Sequence, residues 1–287
     1  MTDTTTLGGT YPLAGEFNVK RMGFGGMRLT GPQIYGPPAD VAEARRVLET
    51  AMEAGINHID TSDFYGPYVV NDLIRETLKP YRGDLVIVTK VGARRTPDAG
   101  WHPALSPEEL RQAVDDNRKR LDLDVLPIVN LRVFSREHVP SYSPIAQQFE
   151  TMLELQSAGK IRHVGLSHIV AAHLEEALRL GSVACVQNSY GVLNRHDDPL
   201  VELCASKGIA FVPYFPLGGF TPLQSAALDE VAAELGASPH QVALAWLLQR
   251  SPNILLIPGT SKVAHLKENI AAADIRLSDE QLRKLAV

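Results

Sequence analysis

Eight short runs rich in β-branched and apolar residues, at 21–25, 58–61, 85–90, 128–133, 163–167, 184–188, 210–214 and 254–258, alternate with longer segments of helical periodicity. That alternation is the pattern of parallel strands joined by crossover helices, and eight is the number that closes a parallel barrel. The predicted fold class is α/β, a single (β/α)8 TIM barrel occupying one domain over residues 1–287. Length agrees: 287 residues with 45 % apolar content exceed the size at which most chains divide, and a barrel keeps such a length in one piece.

The connecting segments carry helix signals. Between 39 and 54, Val41, Ala44, Val47, Leu48 and Ala51 form one apolar stripe while Glu43, Arg45, Arg46 and Glu49 face away, as in a helix covering a sheet. Ser106-Pro107-Glu108-Glu109 supplies an N-cap, a first-turn proline and early carboxylates. Gly55, Gly159, Gly181 and Gly208 each precede a strand and read as helix stops. Before the first barrel strand, Thr10-Tyr11-Pro12-Leu13 and Phe17-Asn18-Val19 flank Ala14-Gly15, a hairpin predicted to plug the barrel bottom. About forty residues after Tyr214 hold two helical stretches, 225–235 and 239–249, so one helix is additional to the plain repeat.

Charge narrows the function. Lys plus Arg number 28 against 33 Asp plus Glu, and a formal charge of -5 argues against a non-specific binder of nucleic acid or anionic membrane. A small-molecule substrate is expected, with the protein monomeric or weakly oligomeric. Residues 1–9 lack the basic start and apolar run of a secretory signal, and no membrane span is legible, so a cytoplasmic location is expected. Cys185 and Cys204 sit among apolar neighbours and read as core fillers, and the nine histidines show no metal-ligand spacing.

In a closed barrel the site forms at the carboxyl ends of the strands. Asp60 ends the second run, Tyr65 follows five residues later, and Lys90 ends the third run. A buried lysine needs a carboxylate partner, and Asp60 on the adjoining strand is the candidate. A phenol becomes a useful acid when a neighbouring cation stabilises its anion, so Lys90 is expected to lower the pKa of Tyr65. Singly, each residue has a plainer reading: a capping acid, a surface lysine, a half-buried aromatic. Together, at consecutive strand ends, they form a proton-donating set suited to a carbonyl that receives hydride.

These residues fall in blocks that resemble the aldo-keto reductases. Gly23-Phe24-Gly25-Gly26-Met27 resembles the family's first-strand turn; residues 55–66 resemble its G-x-N-x-x-D-T-A-x-x-Y-G block; Val88-Thr89-Lys90 resembles its lysine strand. The resemblance runs from about Met22 to Asn269 and implies that Asp60, Tyr65 and Lys90 are catalytic. The fourth family member, a histidine in D-L-Y-x-x-H, is absent. Ungapped, Arg132 stands there, with Asn130 two residues earlier on the same strand face, and Pro127 makes the strand start uncertain. Arginine does not release a proton at neutral pH, so Arg132 is predicted to orient the carbonyl or an anionic substrate group as a fixed cation. Its plainer role is to pair with an outer carboxylate and shape the pocket.

The same resemblance implies NADPH as cofactor. Gly25, Gly26 and Met27 would line its approach. In Val164-Gly165-Leu166-Ser167-His168, Ser167 and His168 stand where the family has Ser and Asn on the nicotinamide amide, and Gln187 matches a second amide ligand. Residues 212–218 resemble V-A-Y-S-P-L-G, implying that Tyr214 stacks on the nicotinamide, with Phe215, Leu217 and Gly219 alongside. Pro258, Gly259, Thr260, Ser261 and Lys262, then His265, Glu268 and Asn269, resemble the adenosine site, where Lys262 would meet a 2′-phosphate. The plainer reading of Lys262 is a solvated helix-start residue. No G-x-G-x-x-G of Rossmann type opens a strand-helix unit.

Within the family, residues 61–67, 215–224 and 245–260 resemble a bacterial branch that includes pyridoxal reductases. Pyridoxal would suit Arg132 through its acidic ring hydroxyl. Two alternatives stand beside this: a carbonyl reductase of broad range, and an NADPH-binding redox-sensing barrel with slow turnover.

Overall fold

The structure, a computed structural model, describes residues 6–135, 140–218 and 223–286. A hairpin comes first: β1 (Thr10–Leu13) and β2 (Phe17–Lys20) pair antiparallel. Then follow β3 (Phe24–Gly25), β4 (His58–Asp60), β5 (Val86–Val91), a second hairpin of β6 (Ala93–Arg95) and β7 (Trp101–Pro103), β8 (Leu126–Arg132), β9 (Ile161–Ser167), β10 (Cys185–Gln187) and β11 (Ala210–Phe211). Seven of these make one parallel sheet in the order β11-β10-β9-β8-β5-β4-β3.

The eighth stave is the segment at 254–258. It makes bridges rather than a regular strand, with Ile254 beside Phe211 and Leu256 beside Met22. Phe211 N donates to Asn253 O (2.9 Å), Leu255 N to Phe211 O (2.9 Å), Leu256 N to Arg21 O (2.7 Å) and Gly23 N to Leu256 O (2.7 Å). Both edges of the sheet therefore bond the same segment, which closes the barrel. Arg21 reinforces that seam, donating to Ile254 O, Leu248 O and Ser251 O.

Helices cover the outside: α1 (Val41–Glu53), α2 (Val69–Leu78), α3 (Pro107–Leu121), α4 (Ala146–Ser157), α5 (Ala171–Leu180), α6 (Asp198–Ser206), α7 (Ala226–Leu235), α8 (Pro239–Arg250), α9 (Val263–Ala271) and α10 (Asp279–Lys284). No helix among the described residues is long and apolar enough to cross a membrane. The apolar stripe of α1 buries Ala44, Val47, Leu48 and Ala51, but Val41, in its first turn, stays exposed. Asp40 caps α1, and Ser106 and Glu109 form the capping box of α3. The added helix before the last stave is α7.

Three sequence expectations change. Gly181 is extended rather than left-handed; a Cβ there would lie 2.9 Å from Leu153, so its smallness serves packing between α4 and α5. Strand β8 begins at Leu126, two residues before its expected start. Pro127 fits because pairing with β5 begins only at Ile128, so no ladder donor is demanded there. The antiparallel β6–β7 hairpin and α10 add to the eight-strand pattern.

The hairpin plugs the barrel as expected. Leu13 and Val19 are buried against Val86, Val88, Ile128, Cys185, Ala210 and Leu255, which point into the barrel, and Tyr11, Ala14 and Phe17 pack around them. With one end filled, the other is left for a cleft. Cys185 and Cys204 are both buried, and burial pushes each thiol up to about 12.

Candidate active site

A cleft of about 980 Å³ opens at the carboxyl ends of the strands. Asp60 ends β4 beside Val88 of β5, and Lys90 follows two residues later on the same face of β5. Both side chains are 3–4 % exposed, and Lys90 Nζ lies 2.5 Å from Asp60 Oδ1. Lys90 also donates to Thr61 O (2.9 Å). Gln187, ending β10, donates to the other oxygen, Asp60 Oδ2, at 2.8 Å. The carboxylate is thus held from both sides, as a buried charge must be.

Tyr65 stands on the loop after β4, its backbone N–H donating to Ser62 O at 3.2 Å. Lys90 Nζ lies 5.0 Å from its ring centroid. Burial pushes the Tyr65 phenol above its ordinary 10.0, and Lys90 offsets only part of the rise. The expected lowering is therefore corrected: desolvation of a fully enclosed phenol outweighs the cation beside it. Burial opposes the charge on Lys90 as well, but the Asp60 carboxylate and the Tyr65 oxygen together outweigh it and hold the ammonium above its ordinary 10.5. At neutral pH the set is a neutral phenol beside a charged pair. A phenol so placed can donate its proton to an oxygen in the cleft, and the adjoining ammonium stabilises the phenolate left behind.

Arg132 ends β8 in register with Ser167 of β9 and lines the cleft. Its guanidinium carbon lies 5.9 Å from the Tyr214 ring centroid, and among the described residues it has no ion-pair partner. Asn130 does not reach the cleft: it is fully buried, accepting from Cys185 Sγ at 3.2 Å. Arg132, not Asn130, faces the site.

His168 has a left-handed backbone (φ 61°) that turns its ring toward the cleft wall. Its Nδ1 lies 2.8 Å from the Tyr214 hydroxyl and its Nε2 3.0 Å from Ser135 Oγ. Two of the three expected amide ligands, His168 and Gln187, thus already have protein partners. The third, Ser167, has a fully buried hydroxyl without a partner among the described residues and does not itself line the cleft.

The cleft also gathers Gly25, Met27, Tyr214, Phe215, Leu217, Pro258 and Gly259. A Cβ on Gly25 would meet Ile257 O at 2.4 Å, and one on Gly259 would meet Gly25 O at 2.6 Å. Only glycine lets β3 and the closing stave approach this closely. Gly26 lies behind the wall, where a Cβ would meet Val70 Cγ1 at 2.6 Å. Thr260, Ser261 and Lys262 continue from Gly259 into α9, which carries His265, Glu268 and Asn269; none of these six lines the cleft. The α9 start already has an acceptor, because Val263 N donates to Glu43 Oε1 at 3.1 Å. Gly219 lies outside the described residues.

The sequence reading missed the β6–β7 hairpin, which brings Ala99 and Trp101 to the cleft. Its signal was present: Pro97-Asp98-Ala99-Gly100 is a turn cluster between two short extended runs. Phe134 and Ser135, just past β8, also line the cleft.

Residues 21–286 match the model of the aldo/keto reductase family. The chain belongs to that family. This aldo-keto reductase is 55 % identical over 272 residues to pyridoxine 4-dehydrogenase of Escherichia coli, covering 94 % of this chain and 95 % of that one. It is 28 % identical to an aldo-keto reductase of Schizosaccharomyces pombe named for NADP+, covering 94 % and 88 %. Among solved structures, a thermostable aldo-keto reductase in complex with the inhibitor epalrestat superposes with a TM-score of 0.80 at 30 % identity, covering 94 % and 96 %. The barrel expected from the strand count is therefore the family's fold, and the resemblance to the pyridoxal-reducing branch agrees with the first of these relatives.

Proposed function

We propose that this chain, as a single barrel domain, reduces an aldehyde to an alcohol with NADPH, and that pyridoxal or a similar aromatic aldehyde is its substrate. The observation that carries the reading is the Asp60–Lys90 pair buried beside Tyr65 at the mouth of the barrel. Tyr65 is the proton donor to the carbonyl oxygen, Lys90 stabilises the phenolate that results, and Asp60 with Gln187 holds Lys90 charged and in place.

The residues present fit a nicotinamide cofactor. Tyr214 offers a half-buried ring on the cleft wall, and Ser167, next to the wall residue His168, has a buried hydroxyl without a partner among the described residues. When bound, the nicotinamide supplies hydride to the carbonyl carbon. Gly25, Met27, Phe215, Leu217, Pro258 and Gly259 would enclose the cofactor, with Thr260, Ser261, Lys262, His265, Glu268 and Asn269 toward its adenosine end. The preference for NADPH draws on the S. pombe relative named for NADP+ and on the Lys262 ammonium, exposed at the α9 start.

The substrate reading draws on the E. coli pyridoxine 4-dehydrogenase and on Arg132, whose charge has no ion-pair partner among the described residues. An ionised ring oxygen beside the aldehyde would give it one. A cytoplasmic location suits the two free, buried thiols.

The test follows NADPH absorbance with a panel of aldehydes that includes pyridoxal, for the wild type and Tyr65→Phe. Rapid oxidation lost in Tyr65→Phe, with NADPH affinity kept, is the expected result. Tight NADPH binding with no turnover on any carbonyl would sink the reductase and leave the redox-sensing barrel. Equal turnover of neutral and anionic aldehydes would leave a carbonyl reductase of broad range.

A further inference from the structure

Arg95, in β6, lies outside the proton-donating set yet gathers two loops of the cleft wall. Its Nη1 donates to Ile34 O (2.7 Å) and its Nη2 to Gln33 O (2.9 Å), both on the loop at 31–36. Its Nη2 also donates to Ala99 O (2.8 Å) and its Nε to Gly100 O (3.2 Å), both on the β6–β7 turn. The guanidinium carbon lies 4.1 Å from the Trp101 ring centroid and 5.4 Å from that of Tyr35. Four carbonyls and two aromatic rings use both the fork and the flat face, which an ammonium lacks.

The first loop would not keep its shape unaided. Gln33 (φ 58°) and Ile34 (φ 57°) are consecutive left-handed residues, and the second is β-branched, which makes the conformation costly. Such strain persists where surroundings over-determine it, and Arg95 binds the carbonyls of this same pair. The loop then reaches the site. Gly66 N donates to Ile34 O (3.3 Å) and Gly36 N to Gly66 O (2.7 Å), directly after Tyr65. On the other side Trp101 meets Phe64 edge-on at 5.5 Å, and Phe64 meets Tyr65 edge-on at 5.4 Å.

We propose that Arg95 is a positioning residue that joins the 33–34 turn and the 99–101 turn into one aromatic wall beside Tyr65, and so sets affinity for a flat aromatic carbonyl. Ile34, Phe64, Ala99 and Trp101 all line the cleft, so a shift of either loop changes the space above the phenol. The inference deepens the reading of the chain as an aromatic-aldehyde reductase and rests on it for the substrate, though the geometry of the two loops is testable without turnover.

The experiment compares the wild type with Arg95→Ala and Arg95→Lys. For a flat aromatic aldehyde, Arg95→Ala is expected to raise KM about tenfold with a smaller change in kcat, leaving NADPH Kd within about twofold. Arg95→Lys should not rescue it, whereas millimolar guanidinium ion added to Arg95→Ala should. KM for a small aliphatic aldehyde, which does not need the wall, should change little. Amide hydrogen exchange in the apoprotein should quicken at 31–36 and 96–103 in both variants and nowhere else to a similar degree. Wild-type KM in Arg95→Lys, equal losses for both aldehydes, or unchanged exchange at 31–36 would overturn the proposal. If Arg95→Ala does not fold, Arg95→Lys and the exchange pattern decide. A wild type inert toward every carbonyl would defeat the reductase reading alone, because the exchange measurements still test Arg95.

Discussion

Gln187 Nε2 lies 2.8 Å from Asp60 Oδ2, on the carboxylate oxygen that Lys90 does not hold. With a donor on each oxygen and little exposure, Asp60 is a fixed anchor for Lys90. It also ties β4 to β10 across the barrel mouth, so the Asp60–Lys90 pair is held by strands.

Breaking the Asp60–Lys90 pair from one side strands a charge in the core. Asp60→Asn and Lys90→Met should each destabilise the fold by about 3–5 kcal/mol, while the double variant should lose far less than their sum. Urea unfolding of all four proteins checks this; simple additivity would mean that the pair is not coupled.

Arg132 should govern which aldehydes bind. Replacing it by Met should cost 2-hydroxybenzaldehyde about ten- to a hundredfold in kcat/KM at a pH where its ring oxygen is ionised. Benzaldehyde should be nearly unaffected. Parallel losses on the two substrates would count against an anion-binding role.

Asp63, 7 % exposed, is pushed up by burial to about 7, against 3.8 ordinarily. A carboxyl raised in the folded state contributes stability as the neutral acid below about pH 4, and that contribution is lost as pH rises to about 7. Asp63→Asn should therefore gain on the wild type between these values. The advantage should level off above pH 7 at a few kcal/mol at most, since each unit is about 1.4 kcal/mol. Urea unfolding of both proteins from pH 4 to 8 measures the difference; a constant offset would mean an ordinary ionised carboxylate.

Helix α4 has no capping side chain of its own at Ile145. Glu176 of α5 supplies one, accepting from Ala146 N (2.9 Å) and Ile145 N (3.1 Å). Glu176→Ala should cost about 1–3 kcal/mol in denaturant, and Glu176→Gln less, because the amide keeps one acceptor oxygen. A neutral alanine variant would show that water caps the helix equally well.

Much of this was legible in the chain because period and chemistry agreed. The strand runs, the plugging hairpin and the N-cap of α3 were set by local patterns, and Asp60, Tyr65 and Lys90 were placed by their strand ends. What could not be read depended on depth or on distant partners. The phenol of Tyr65 was expected to fall and instead rises, because sequence shows the neighbouring lysine but not how completely both are enclosed. Gln187 looked like a ligand for cofactor, and only three-dimensional closure reveals Asp60 across from it. Arg95 went unremarked because its partners are four backbone carbonyls, and a carbonyl leaves no mark on a sequence.

The stave at 254–258 bonds both Phe211 and the backbone around Met22, so strands separated by most of the chain become neighbours at one seam. A ring joined this way has no privileged starting point. Recutting the backbone at an exposed connection elsewhere and linking the former ends should leave the same circle of staves, whereas losing the seam would open it. Synthesis, too, leaves the first stave without its last neighbour until residues 254–258 have emerged.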